Sequence, residues 1–142
     1  MKTTGDPLVI TVDTHAHTQM VNITALIAAE IPAGFNGLCC AFCAHTTAGI
    51  TINENADPDV VHDLLAELNR LVPWSNPDFR HGEGNSAAHV KATLTGATVT
   101  VPVSAGKLQL GVWQGIFFCE FDGPKNRHVK LQFVRAAGNA QP

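Results

Sequence analysis

The C-terminal part of the chain carries the pattern that most limits what this sequence can fold into. Val99, Val101 and Val103 alternate with Thr98 and Thr100, which is the period of a strand with one buried face. A long strand is predicted from Leu108 to Phe121 and another from Val129 to Val134. The segment Asp122-Gly-Pro-Lys-Asn126 between them has the composition of a hairpin loop. These residues predict antiparallel β structure.

Helices are predicted in three places. The clearest begins at Pro58, because Asp57 is a good N-cap and proline suits the first helical position. A shorter helix is predicted after Asn22, which also has the side chain of an N-cap. A third helix is predicted over Ala87–Leu94, with Ser86 as its cap. Helices and antiparallel strands are therefore expected in one fold.

The length and charge of the chain exclude several classes of protein. A chain of 142 residues can build one domain with a hydrophobic core but is too short for two. Hydrophobic residues make up 45% and charged residues 15%, which is typical of a globular chain. The net charge of −3 offers no basic surface for nucleic acid or anionic membrane. No apolar run reaches the roughly 20 residues of a membrane span. We expect a soluble, cytoplasmic protein.

The four cysteines are predicted to be buried, reduced thiols. Cys40 and Cys43 have the spacing of a redox or zinc pair. They lie, however, in the apolar run of residues 37–44, which is predicted to form a strand, so their side chains point to opposite faces. Cys39 and Cys119 also lie among apolar residues, where a free cysteine behaves as a small core residue.

The segment from His81 to His89 concentrates most of the chemically useful side chains. It contains two imidazoles, the Glu83 carboxylate, the Asn85 carboxamide and two glycines. The helix predicted directly after it would place free backbone amides beside these groups, and a helix N-terminus is a natural anion site.

A second such segment is His45-Thr46-Thr47, at the predicted end of a strand. If it meets the 81–89 segment, His45, His81 and His89 form a zinc-type site whose open fourth position holds water or substrate. In the alternative interpretation, His45 is a strand-end residue and the other two histidines brace a loop. Spacing alone does not decide between them.

Two polar residues interrupt the predicted long strand. Gln114 and Glu120 share one face with five apolar side chains, and buried polar groups need partners. A rim, a subunit interface or a functional site would each supply such partners.

Three motifs occur in order along the chain: Ala-His-Thr-Thr-Ala-Gly-Ile-Thr-Ile-Asn-Glu-Asn-Ala-Asp-Pro over 44–58, Asn-Ser-Ala-Ala-His-Val-Lys-Ala over 85–92, and Gly-Lys-Leu-Gln-Leu-Gly-Val-Trp-Gln-Gly-Ile over 106–116. Glu120 and Asp122-Gly-Pro follow them. Together they resemble the YjbQ-like family, also called the secondary thiamine-phosphate synthase family. The resemblance spans roughly residues 8–135 of a single domain, 1–142.

The resemblance implies an α+β fold built on a large antiparallel sheet or sandwich, with two to three helices, assembled as a homotrimer. It also implies a weak thiamine-phosphate synthase activity and a metal held by His45, His81 and His89. The family's polar positions near the pocket correspond to Asn53, Glu54, Asn85, Gln114 and Glu120.

The reaction so implied joins a pyrimidine-methyl diphosphate to a thiazole phosphate and expels diphosphate, so the pocket needs positive charge. The expected cofactor is a divalent metal, with zinc as the first choice and magnesium possible for a diphosphate substrate. Residues expected to bind the phosphorylated substrate are Thr46, Thr47, Lys107 and Gln114. Residues expected to be catalytic are Glu54, Glu83 and Asn85.

Two other functions remain open. One is a metal-dependent hydrolase of an anionic metabolite, with Glu83 or Glu54 as the base that activates a metal-bound water. The other is a trimer that binds a small ligand without catalysis. No nucleic-acid or membrane partner is expected for any of the three.

Overall fold

The computed structural model describes residues 5–138, so residues 1–4 and 139–142 of the predicted domain lie outside the described residues. The elements of this part of the chain are β1 (Leu8–Asp13), β2 (Gln19–Asn22), α1 (Thr24–Ala28), β3 (Gly37–Cys43), β4 (Ala48–Glu54), α2 (Pro58–Leu71), α3 (Ser86–Thr95), β5 (Thr98–Ser104), β6 (Lys107–Leu108), β7 (Gln114–Glu120) and β8 (Asn126–Arg135).

The strands form two antiparallel sheets. One has five strands in the order β1-β8-β3-β5-β6, and the other has three in the order β2-β7-β4. Strands β7 and β8, which flank the hairpin loop, belong to different sheets, so this loop carries the chain from one sheet to the other. The predicted α+β class with antiparallel sheets and three helices is confirmed.

The main core lies between the two sheets. Side chains at alternate positions of β3 and β8 point inward from the five-stranded sheet and meet those of β4 and β7. Ile50, Phe118 and Leu131 are each 1% exposed or less. Complete burial of an aliphatic or aromatic side chain of this size contributes about 1.5–3 kcal/mol, so this layer holds the sheets together.

A third layer covers the other face of the three-stranded sheet. Phe117, Cys119 and Phe121 point away from the main core and form a second apolar cluster with Ala88 of α3 and Leu68 of α2. Two helices therefore pack on β7 from the side opposite the five-stranded sheet. None of the helices within residues 5–138 has the length and apolar composition needed to cross a membrane.

The predicted start of α2 is confirmed in detail. Asp57 is the N-cap, its Oδ1 accepts a hydrogen bond from the backbone N–H of Asp59 at 2.9 Å, and Pro58 is the first helical residue. Asn22 differs from its prediction, because the N-cap of α1 is Ile23. Asn22 instead lies one residue earlier and accepts hydrogen bonds from Thr24.

The predicted long strand from Leu108 to Phe121 is wrong. The chain forms β6, leaves regular structure over residues 109–113, and resumes as β7 in the other sheet. A tight turn makes this change of sheet possible: Gln114 N–H donates to the Gly111 carbonyl at 3.0 Å, and Gly111 N–H donates to Gln114 Oε1 at 2.8 Å.

The cysteines behave as predicted. Cys39 and Cys43 point into the core, while Cys40 lies on the opposite face of β3 and is partly buried. Burial, reinforced by the neighbouring Cys40 thiol, raises the pKa of Cys39 to about 11. Burial together with Cys43 raises the pKa of Cys119 to about 12. Both thiols are therefore protonated and unreactive near neutral pH.

A buried ion pair joins the two sheets at one end. Glu120 of β7 is fully buried and Arg127 of β8 is 5% exposed. Arg127 Nε donates to Glu120 Oε1 at 2.8 Å and Nη2 donates to Oε2. Thr14 Oγ1 donates to Oε1 at 2.7 Å, and the N–H groups of Phe121 and Asp122 donate to Oε2 at 3.1 Å. The carboxylate thus has partners at both oxygens.

Burial alone would raise the pKa of Glu120, but the hydrogen bonds from Arg127, Thr14 and the Asp122 N–H outweigh it and hold this pKa below its ordinary value. The group is therefore ionised at neutral pH. Glu120 is one of the two polar residues on the apolar face of the predicted strand. The partners that it needs there are structural.

Replacing Glu120 by Gln keeps the side chain's size but leaves the Arg127 guanidinium buried without its counter-charge. The free energy of unfolding, measured by urea denaturation, is expected to fall by about 3–5 kcal/mol. The double variant E120Q/R127M is expected to lose much less than the sum of its single variants. Glu67→Gln, which breaks an exposed ion pair with Arg70 on α2, serves as the control and leaves the midpoint unchanged. A wild-type midpoint for E120Q would contradict this account.

Candidate functional site

Four segments end beside the buried ion pair and define one end of the sandwich. They are the end of β1 at Thr14, the connection from β3 to β4 at Thr47, the end of β7 and the start of β8. Arg127 Nη2 donates to Thr47 Oγ1 at 2.9 Å. Thr14 Oγ1 is also within hydrogen-bonding distance of the Lys125 backbone. The ion pair therefore fixes the loops from which the site is built.

Asp122, two residues after Glu120, is a junction of polar contacts at this end. Its Oδ2 accepts from Asn85 Nδ2 and from Lys125 Nζ, each at 3.0 Å, and its Oδ1 lies 3.9 Å from His17 Nε2. Partial burial raises the pKa of Asp122, but the hydrogen bonds from Asn85 and Lys125 and the nearby positive charges bring it below the ordinary value. The carboxylate ties α3 to the hairpin loop.

Asn85 is the N-cap of α3, and Ser86 is its first residue rather than the predicted cap. The Asn85 side chain makes no capping hydrogen bond. Its Nδ2 instead donates to Asp122 and, at 3.4 Å, to Glu83 Oε2. Asn85 Oδ1 is buried and has no hydrogen-bond partner within residues 5–138. The predicted catalytic residues Glu83 and Asn85 are thus brought together, with one acceptor left for a donor group.

A cleft of about 690 Å³ adjoins this junction. It is lined by His17, Thr18, Asn69, Trp74, Lys91 and Asp122. Its volume is in the range of small-molecule sites in proteins.

The side chain that distinguishes the cleft is Lys91 of α3, which is only 3% exposed. Its ammonium group donates to Asn69 Oδ1, a neutral acceptor. No carboxylate of residues 5–138 lies within ion-pair distance of it, and burial lowers the pKa of Lys91. A buried cation without a counter-ion is costly, so this position favours an anionic ligand.

Trp74 connects the cleft with the histidine pair. Besides the cleft, it lines a smaller pocket together with Phe79, His81 and Gly84. The His81 and His89 rings lie edge to face with their centroids 5.5 Å apart, and both line a neighbouring open hollow of about 430 Å³. Lys91, Trp74 and the His81–His89 pair therefore lie along one continuous surface.

His45 has a different neighbour. Its Nε2 accepts a hydrogen bond from the backbone N–H of His128 at 2.9 Å, and the two rings are stacked with centroids 6.3 Å apart. Within residues 5–138, no three histidine, cysteine, aspartate or glutamate side chains lie close enough to hold one metal ion. A single chain thus offers the His81–His89 pair but no complete ligand set. The three-histidine metal site stays a prediction.

The other predicted residues divide between the two ends of the sheets. Thr46 is exposed and Thr47 is buried, both at the Glu120 end. Glu54 and Gln114 pair with each other at the opposite end of β4 and β7. Gln114 and Glu120 are the first and last of the seven residues of β7, about 20 Å apart. Lys107 lies on β6 at the edge of the five-stranded sheet. These residues therefore do not line a single pocket within one chain.

Sequence reasoning missed His17, Trp74 and Lys91 as cleft residues. The sequence did contain a signal for Lys91. This residue lies on a short helix with the small residues Ala87 and Ala88, which pack closely. His17 and Trp74 meet only through the fold, with ring centroids 4.4 Å apart. Gly123 allows the chain before His17 to approach closely, since a Cβ at position 123 would lie 2.3 Å from the Ala16 carbonyl oxygen.

The environment of His45 predicts a pH-dependent stability. Burial, together with the charges of Arg127 and His128, lowers the pKa of His45 below 6.5. The unfolded chain therefore binds this proton at a higher pH than the folded chain does. The contribution of His45 to the free energy of unfolding is fully present above the pKa that this residue has in the unfolded chain. It is lost as the pH drops below that pKa, until folded His45 is protonated as well.

The expected result is a smaller loss of unfolding free energy in His45→Gln than in the wild type between about pH 7.5 and about pH 5.5. Urea denaturation at the two pH values measures it. His15→Gln, at an exposed position, is the matched control and keeps the wild-type slope. An equal slope in His45→Gln and wild type would overturn this assignment.

The fold and the site define a class: a two-sheet α+β protein with a cleft, lined by a buried lysine, at the end of its sandwich. The family model described as "UPF0047 protein YjbQ-like" matches residues 9–136. The chain belongs to this family, which confirms the resemblance of its motifs.

Relatives and solved structures align with most of this chain. The UPF0047 protein YugU of Bacillus subtilis is 48% identical over 118 residues, covering 82% of this chain and 89% of the relative. A UPF0047 protein of Methanocaldococcus jannaschii is 45% identical, covering 87% and 90%. The crystal structure of an uncharacterised YjbQ/UPF0047 protein from Clostridium acetobutylicum aligns with a TM-score of 0.85 at 44% identity, covering 89% and 99%. A conserved hypothetical protein from Thermus thermophilus gives a TM-score of 0.86 at 42% identity, with the same coverage.

Proposed function

We propose that the protein is a transferase of the secondary thiamine-phosphate synthase type, and that its cleft binds the phosphorylated substrate on Lys91. The observation that carries this proposal is the buried Lys91 ammonium, which has a neutral acceptor and no carboxylate partner among residues 5–138. A phosphate or diphosphate group would supply the missing counter-charge.

The chemistry fits such an arrangement. In this reaction the bond from the pyrimidine methylene carbon to diphosphate oxygen breaks, a bond from that carbon to the thiazole nitrogen forms, and diphosphate leaves. Negative charge grows on the leaving group, so a fixed cation in a partly dry cleft lowers the barrier. Lys91 provides this charge.

The roles expected from the sequence change accordingly. Thr47 Oγ1 accepts a hydrogen bond from Arg127, and the participation of this hydroxyl in phosphate binding stays a prediction. Lys107, Gln114 and Glu54 lie at other ends of the strands, and their participation stays a prediction. Glu83 and Asn85 remain candidates, because Asn85 connects Glu83 to Asp122 in the cleft wall.

Replacing Lys91 by Gln removes the buried charge but keeps a hydrogen-bonding group beside Asn69. A charge-assisted hydrogen bond contributes about 1.5–3 kcal/mol, so kcat/KM for diphosphate release from the two thiamine precursors is expected to fall roughly 10- to 100-fold. Arg70→Gln, which removes an exposed positive charge on α2 outside the cleft lining, is the control and retains full activity. Wild-type kinetics for Lys91→Gln would refute the proposed site.

A metal-dependent hydrolase is the second candidate, and the contact between His81 and His89 favours it. Imidazole pairs suit zinc and other transition ions. Elemental analysis of the purified protein and of a His45→Ala/His89→Ala variant tests it. Near-stoichiometric metal that disappears in the variant, with turnover of simple phosphate esters, would favour the hydrolase. Equal, negligible metal in both proteins would count against it.

The homotrimer and the cytoplasmic location belong to the same proposal. Large apolar side chains exposed on the strands of the five-stranded sheet support association with further copies: Val9, Leu38, Phe42 and Val134. The free cysteines at positions 39, 40, 43 and 119 suit a reducing compartment.

A further inference from the structure

We infer that Trp74 is the specificity-determining residue of the Lys91 cleft, and that its indole selects phosphate esters whose phosphate is carried on a flat aromatic ring. The inference rests on the proposed function for the phosphate half of the ligand. It goes further because it assigns the aromatic half of the ligand to Trp74, a residue outside the three sequence motifs.

The position of Trp74 is unusual for a large aromatic side chain. It lies in the turn-rich segment between α2 and α3, is 39% exposed, and lines the same cleft as Lys91. The apolar clusters of the core do not include it. Since burying an indole is favourable, a partly exposed tryptophan in a polar cleft is well suited to pack against a ligand.

His17 and its neighbours hold this indole in place. The two rings meet at 83° with their centroids 4.4 Å apart. In an edge-to-face contact only one ring supplies its face, so His17 covers at most one face of the indole. Trp74 is 39% exposed, so this contact leaves part of the indole uncovered in the cleft lining. His17 itself is positioned by Thr18 Oγ1, 3.2 Å from its Nδ1, and by Asp122.

The rest of the lining fits a ligand with an anionic end and a flat end. Lys91 supplies a cation, and Asn69 and Thr18 supply polar groups, whereas Trp74 is the one tryptophan or phenylalanine among the described lining residues. A volume of about 690 Å³ holds a single ring with its phosphate and leaves room for a second small molecule. The lining thus offers a cationic group and an aromatic ring, and the one carboxylate among these described residues, Asp122, is engaged by Asn85 and Lys125.

Three phosphate compounds test the inference directly: inorganic phosphate, cyclohexyl phosphate and phenyl phosphate. The last two have similar size and charge and differ in the flatness of the ring. Isothermal titration calorimetry measures their dissociation constants. An aromatic pair contributes about 0.5–1.5 kcal/mol beyond its buried area, so wild type is expected to bind phenyl phosphate roughly 2- to 10-fold more tightly than cyclohexyl phosphate.

Trp74→Leu is expected to abolish this preference while leaving the affinity for inorganic phosphate unchanged. Trp74→Phe keeps an aromatic face and is expected to restore part of it. Lys91→Gln is expected to weaken all three compounds and to keep the preference for the flat ring. In a Trp113→Phe background, where Trp74 is the remaining tryptophan, phenyl phosphate should also change the fluorescence.

The outcomes separate the two proposals. Equal preference in wild type and Trp74→Leu would overturn the ring subsite, whatever Lys91→Gln does. Loss of inorganic phosphate binding in a Trp74→Leu protein that melts like wild type would also overturn it, because Trp74 would then shape the whole cleft. Unchanged phosphate binding in Lys91→Gln would refute the anion site, and a preference that still depends on Trp74 would leave the ring subsite standing. If Trp74→Leu does not fold, Trp74→Met takes its place as the variant without an aromatic ring, and a preference kept in Trp74→Met overturns the ring subsite.

Discussion

The ion pair between Glu120 and Arg127 is the constraint on which this structure depends. One partner comes from each sheet, and both lie in the dry interior at the end of the sandwich where the hairpin loop crosses. A buried charge pair adds little net stability compared with apolar residues of the same size, but it is very sensitive to geometry. Its effect is therefore positional: the two sheets meet in one register at this end, and the loops that leave them start from fixed points.

The candidate site follows from that fixed end. Asp122 comes two residues after Glu120, and its backbone N–H donates to the Glu120 carboxylate. Its own carboxylate holds Asn85 at the start of α3, the helix that carries Lys91 into the cleft. Core, loop and helix are thus connected through consecutive hydrogen bonds. This explains how a small protein keeps a buried lysine in place beside an amide oxygen that has no hydrogen-bond partner within residues 5–138.

Local signals in the sequence were sufficient to predict much of the fold but few of the residues that line the cleft. The start of α2 at Asp57 was predictable because capping depends on neighbouring residues. The break before Gln114 was not, since residues 109–113 keep an alternating pattern while the chain changes sheets. The 81–89 segment stood out by its residue types. Trp74 and His17 did not, because 57 residues of chain separate them and only tertiary packing brings them together.

The shared position of Trp74 has a consequence for how the surface responds to ligands. The same indole lines the Lys91 cleft and the smaller pocket beside His81. Two sites that share a side chain are thermodynamically linked when a molecule in one of them displaces it, and the change in affinity is then equal in both directions.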